Sequence, residues 1–443
     1  KTELGWPEAR VAYADRWWKP RADGTLAGVW RVILERHMGQ VRRVLVDASS
    51  GQAVETFELT NRQVRGNVFP RSPVSSRLQQ AELTSLTSAN TLTGRAARVY
   101  SYVPVLLGLI PDTSIGLPES QLARPDTGGN YYYPPDDPRF SEVQAYYGIT
   151  RAADYIRGLG YSGLNRQFDV VVQYVDLESP YDVNAFFSPV LFSNRGGIVM
   201  QSNLLGADTT LDSSIIFHEY GHATVHGIVG TLNSSKEFGA VNEAFADYFA
   251  GSFLNTPAIG EYFPYLSPSP NFLTRQSYLR TMDNQTFYPD FIQGQPHGDS
   301  LMFSGALWDM RKALGQQRAD LVAVNGLARM SAQMGFYSAS QALIGAANSL
   351  YGNSVRDQVS QIFANRGLTS STAQYSEQSI ALESGQTRVS LVPGNPSGVR
   401  YFLAQDDFRI TGPRGVSGMQ IQVEATGPVR AFIRFRSPVD IDG

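Results

Sequence analysis

The chain has no cysteine among its 443 residues. That absence removes disulfides, thiolate catalysis and cysteine-based zinc sites in one step, so any metal must rest on His, Asp and Glu. Histidine is scarce too, five in all. No stretch approaches the run of about 18 apolar residues that spans a bilayer. Charged residues are few, 17% with a formal net of −3, which leaves no electrostatic footprint for nucleic acid or an anionic membrane surface. Neither an internal repeat nor a low-complexity tract occurs. The first residues, KTELGW, carry no apolar targeting segment, so the sequence reads as cytosolic or as secreted with its signal peptide absent from this chain. What is present suffices for a sizeable core, at 42% hydrophobic residues, and the length points to about two to four domains.

Residues 26–60 are β-rich runs broken at HMGQ and ASSGQ, which predicts a small α+β domain carrying a hairpin over 1–62. Prolines at 70, 73, 104, 111, 118, 125, 134 and 135 interrupt the next stretch, so 63–129 reads as linker and processing region with irregular, partly stranded structure. Helical spacing returns at 140–160, a strand follows at QFDVVVQYV, and helices are expected over 212–229, 239–254, 300–314, 319–334, 338–350 and 354–366. Short Gly- and Pro-separated strands over 380–443 predict a β-sandwich-like module.

Three of the five histidines fall in FHEYGHATVH, residues 217–226. His218 and His222 stand four apart, so on a helix both imidazoles project from one face and can grip one ion, with Glu219 facing the same opening. Catalytic zinc usually takes three protein ligands and keeps a further position open. A histidine six residues past His222 would complete the metzincin pattern, but that position is Ile228. His226, a full turn on, lies about 6 Å from His222 and farther from His218, which favours a packing role. The remaining source is GAVNEAFADYF, where Glu243 and Asp247 share one face of a second helix: Glu243 as third ligand, Asp247 as acceptor for the outer N–H of a ligand histidine.

HEYGH followed by NEAFAD resembles the thermolysin-type metallopeptidases, the gluzincins, and HGDSLMFSGALWDMR leans toward their fungalysin-like members. VNAFF with SNRGGIVM is similar to their substrate edge strand, SYLRTMDN to the stretch before their catalytic histidine, and FSEVQAYYGITRAADYIRGLG to an early helix. The resemblance covers about 130–370 and implies, over 130–375, an α+β zincin fold with a β-rich N-terminal lobe and a helical C-terminal lobe. It implies one catalytic zinc on His218, His222 and Glu243, with Glu219 as general base. It further implies His297 as transition-state stabiliser, Arg280 on the substrate carbonyl, and Asn184 and Ala185 on the substrate backbone. Family members often carry an oxyanion-binding tyrosine about eleven residues past the second histidine; 223–242 has none, which leaves His297 alone or a substitute, Tyr220 or His226. Ser214 and Leu254 stand where thermolysin's calcium ligands would be acidic, so calcium is not supported.

Residues 8–60 also resemble the pro-domains of this family, and 380–443 part of a pre-peptidase C-terminal module. Together these imply a secreted zinc endopeptidase made as a zymogen, acting on protein or peptide substrates and inhibited by its own N-terminal domain until cut within 105–130. Two other readings fit the sequence: a silent zinc-fold binding or adhesion protein, and an exopeptidase of the same zinc class.

Overall fold

In the computed structural model of the chain, the described residues are 10–58, 64–102, 121–374, 380–381 and 408–409, less positions 22, 37–39, 89, 165, 233, 266–276 and 371–372. The chain divides into two compact units, Lys1–Arg65 and Gly66–Gly443.

In the first unit, strands β1 (Arg10–Pro20), β2 (Leu26–Arg36), β3 (Gln40–Asp47) and β4 (Ala53–Glu58) form one antiparallel sheet in that order. The β3–β4 turn is set by Asp47, whose carboxylate accepts the backbone N–H groups of Ser49 and Ser50. No helix occurs among the described residues here, so the α+β domain expected over 1–62 is, as far as described, all strand. The reason is the two-residue period of LAGVWRVILER and QVRRVLVD, which places Val32, Leu34, Val44 and Val46 in one cluster.

The second unit begins with β5 (Arg65–Val68) paired to β6 (Gln79–Glu82), then β7 (Ala97–Ser101). Helix α1 (Pro138–Gly158) precedes β8 (Phe168–Tyr174) and β9 (Ala185–Ser188), and a single turn α2 (Leu191–Asn194) leads into β10 (Gly197–Gln201). These strands make a sheet in the order β7-β8-β10-β9, parallel except for β9, which runs antiparallel to β10 at the edge. Part of the stretch read as linker is therefore built into this domain: β7 pairs with β8, and Leu92, Ala97 and Val99 are buried. The segment 121–123 is equally fixed. Buried Glu142 on α1 accepts hydrogen bonds from the backbone N–H groups of Leu122 and Ala123 at 2.7 and 3.0 Å and from Ser101 Oγ at 2.7 Å. Ala123 is fully buried although Leu122 beside it is exposed, and 103–120 lies outside the described residues.

Helices then dominate: α3 (Ser213–Val229) and α4 (Lys236–Leu254), the short strands β11 (Ala258–Ile259) and β12 (Arg280–Thr281), and α5 (Pro296–Leu314), α6 (Gln316–Leu327), α7 (Phe336–Tyr351) and α8 (Asn353–Asn365). Helices α4 to α8 all start earlier than periodicity indicates, and at α4 and α5 side-chain caps fix the start: Ser235 accepts the N–H of Phe238 at α4, and Gln295 accepts that of Gly298 at α5, with Pro296 pre-set for the first turn. Helix α6 ends well before 334, the limit expected from its pattern. Of the module expected over 380–443, the described part is β13 (Ile380–Ala381) paired parallel with β14 (Phe408–Arg409).

Helices α3 and α4 approach closely at Gly221. A Cβ there would lie 2.7 Å from Ala246 Cα and 3.1 Å from Ala246 O, so glycine lets the backbones meet. Gly→Ala inside a helix ordinarily stabilises by about 1 kcal/mol; here Gly221→Ala is expected to destabilise by about 1–3 kcal/mol through overpacking. Thermal unfolding measures this, and a neutral or stabilised variant would show that the approach is not tight.

Candidate zinc-binding active site

The helix carrying HEYGH starts at Asp212, whose side chain accepts the N–H of Ser214, and stops at Gly230, which adopts φ 75°. Ser214, at a position where a calcium ligand would be acidic, bonds Asp212 and receives the N–H of Gly260 instead. Because α3 is regular, His218 and His222 stack one turn apart with ring centroids 4.5 Å apart, and α4 brings Glu243 against both. His218 Nε2 lies 3.3 Å from Glu243 Oε2, and His222 Nε2 lies 3.5 Å from Glu243 Oε1.

These separations fit a metal. Two donors each about 2.0–2.1 Å from a tetrahedral zinc stand roughly 3.3–3.4 Å apart. Among the described residues the three side chains form a group whose ligand atoms all lie within 4.8 Å of one another. Glu243 Oε2 is buried and makes no hydrogen bond of its own, a costly arrangement for a carboxylate that serves no ligand. Glu219, 4% exposed, has an equally orphaned Oε2.

The surrounding hydrogen bonds orient the rings. His218 Nδ1 contacts Asp247 Oδ1 at 2.8 Å, which turns Nε2 toward Glu243. Burial opposes a charge on His218, but the nearby Asp247 and Glu243 carboxylates prevail and raise its pKa to about 9. Burial pushes Asp247 up and the Arg280 guanidinium pulls it further down, to about 2; Glu243 is held low in the same way by His222 and His218. Asn242 was missed in the sequence: its Oδ1 sits 3.1 Å from His222 Nδ1, doing for the second histidine what Asp247 does for the first. Its only local signal is its place immediately before Glu243 in VNEAF.

Arg280 forms a bidentate pair with Asp247, Nε to Oδ2 and Nη2 to Oδ1, both 2.8 Å, and stands 3.9 Å from Glu243. His297, in the first turn of α5, faces the same group with Nε2 3.4 Å from Glu243 Oε2 and a half-exposed side chain. Burial lowers the pKa of His297, with the Glu243 charge opposing. Asn184 is exposed just before β9, its carbonyl accepting the N–H of Gln201, and Ala185 pairs with Met200. Both therefore lie at the open edge of the sheet.

The two candidates for the missing tyrosine sit elsewhere. Tyr220 is 1% exposed, with its ring edge-on to Phe168 in the sheet core at 5.7 Å. His226 Nδ1 accepts the N–H of Thr231 at 3.1 Å, and its ring lies 5.8 Å from Phe187. Asp247→Ala is accordingly expected to weaken zinc affinity about 10- to 100-fold, whereas His226→Ala should leave it unchanged. A chelator titration giving the opposite ranking would reverse these roles.

Residues 198–372 match the family model of fungalysin metallopeptidase (M36). No curated protein matches the chain.

Proposed function

Since residues 198–372 match the family model of the fungalysin metallopeptidases, a zinc metalloendopeptidase family, we propose that this chain is a secreted zymogen cutting within protein chains with Glu219 as general base. The observation that carries the reading is the convergence of His218, His222 and Glu243 beside the orphaned Glu219 carboxylate.

His218, His222 and Glu243 would hold the zinc ion, which when bound would supply a Lewis acid for the scissile carbonyl and for water. Glu219 takes the proton of the attacking water and returns it to the leaving amine, a dual role that suits a carboxylate within reach of both. His297 donates from Nε2 to the oxygen that becomes negative, an interaction that counts only in the transition state. Asn184 and Ala185 hold the substrate extended along the free edge of β9 by strand addition. Arg280, positioned by Asp247, donates to a substrate carbonyl.

An endopeptidase active before export would damage its own cell, which supports secretion and inhibition by the N-terminal unit. Among the described residues no helix is long and apolar enough to cross a membrane. Tethering gives even a weak inhibitor an effective concentration of about millimolar. The pairing of β7 with β8 in the sheet of the zinc domain favours a cut upstream of Gly66, between the two compact units, over the one expected within 105–130.

The test compares the intact chain with one cut upstream of Gly66, on a denatured protein, with and without a zinc chelator, and sequences the products. Internal cuts, abolished by chelator and faster after processing, are expected. Chelator-resistant cleavage would remove the metallopeptidase reading, trimming from the termini alone would make the enzyme an exopeptidase, and equal activity before and after processing would make the N-terminal unit a permanent accessory.

A further inference from the structure

We propose that Gln295 is a positioning residue that locks His297 in the tautomer carrying its proton on Nε2. The inference rests on the proposed role of His297 as transition-state donor. Gln295 is the N-cap of α5, and its Oε1 accepts the N–H of Gly298 at 2.6 Å. The other end of the same amide, Nε2, lies 2.8 Å from His297 Nδ1. An amide NH2 only donates, so Nδ1 must be the acceptor. In a neutral imidazole the proton is then on Nε2, the nitrogen that faces Glu243 Oε2 at 3.4 Å and the metal group.

The reversed arrangement fails on the same residues. Turning the amide over would set its NH2 against the Gly298 N–H, donor against donor, and leave a helix N-terminal N–H without its acceptor. The loop that delivers Gln295 is itself pinned to α5, because Asp299 accepts the N–H groups of Gln293 at 2.6 Å and Gly294 at 3.1 Å while its own N–H bonds the carbonyl of Gln295 at 2.8 Å. A lock matters here because the His297 side chain is 54% exposed. Solvent would otherwise let the ring rotate and exchange tautomers, presenting a bare Nε2 where a donor is needed.

Imidazole nitrogen NMR on the zinc-loaded full chain, labelled at histidine, tests this directly; five histidines keep the spectrum simple, and His297→Ala assigns the signal. The expected signature is an unprotonated Nδ1 and a protonated Nε2. Gln295→Glu still caps Gly298 but has no N–H to offer, so Nδ1 should become protonated. Gln295→Ser keeps a favoured cap residue too short to reach the ring; the two tautomers should then mix and kcat fall about three- to tenfold, the order of one lost hydrogen bond. KM, zinc content and melting temperature should hold.

A protonated Nδ1 in the unaltered neutral ring would overturn the proposal. So would a Gln295→Ser variant with unchanged spectrum and kcat, or one whose lost activity tracks a fallen melting temperature, since either leaves Gln295 as a cap alone. The spectrum needs no turnover. An intact lock alongside a fully active His297→Ala would therefore overturn the role of His297 and not the lock.

Discussion

Glu219→Gln should lower kcat by about 10²–10⁴ while zinc content stays at one per chain, the usual worth of a positioned proton acceptor. Expressed as a barrier this is roughly 3–5.5 kcal/mol. The substitution is nearly isosteric and the site is buried, at 4% exposure, so a packing explanation for the loss is remote. The amide oxygen of glutamine still accepts a hydrogen bond from water, so binding and water placement survive; what disappears is the capacity to remove a proton and hand it on. KM should therefore change little. The orphaned Oε2 is the structural basis of this expectation, because a carboxylate tied into a hydrogen-bond network would be less free to exchange protons. Metal analysis together with steady-state cleavage decides it. Full activity would remove Glu219 from its role, and zinc loss would make it a ligand.

His297→Ala carries the second largest expected effect, a fall of about 10²–10³ in kcat with zinc retained, as for one oxyanion donor. Two observations separate this from a ligand's behaviour. The group able to hold a metal among the described residues is His218, His222 and Glu243, and the His297 side chain is half exposed where theirs are largely buried. The effect should sit near the upper end of that range because neither candidate for the absent tyrosine is placed to substitute for His297: Tyr220 is buried against Phe168 and His226 is bonded to Thr231. Loss of zinc in the variant would make His297 a fourth ligand, and a change of less than about tenfold would mean that another group carries the oxyanion.

The sequence by itself determined the helix that carries His218 and His222. Four-residue spacing on a 3.6-residue turn places His218 and His222 on one face, and Glu243 and Asp247 repeat that spacing, so short-range periodicity sufficed to name them. It also determined most of the C-terminal helices, whose apolar spacing is local, though not where α5 begins: the Gln295 cap and Pro296 draw His297 into the helix. Tertiary packing decided the rest. The distances from Glu243 to the two histidines depend on how closely α3 meets α4, which Gly221 permits against Ala246. Arg280 reaches Asp247 across 33 positions, and Asn242 reaches His222 across 20. Residues 97–101 looked like linker because their neighbours are rich in proline, and they became a sheet strand only by pairing with 168–172 about 70 positions away. A residue's pattern reports its neighbours within a turn or a strand; which distant backbone it meets is set by surfaces that exist only once the elements have packed.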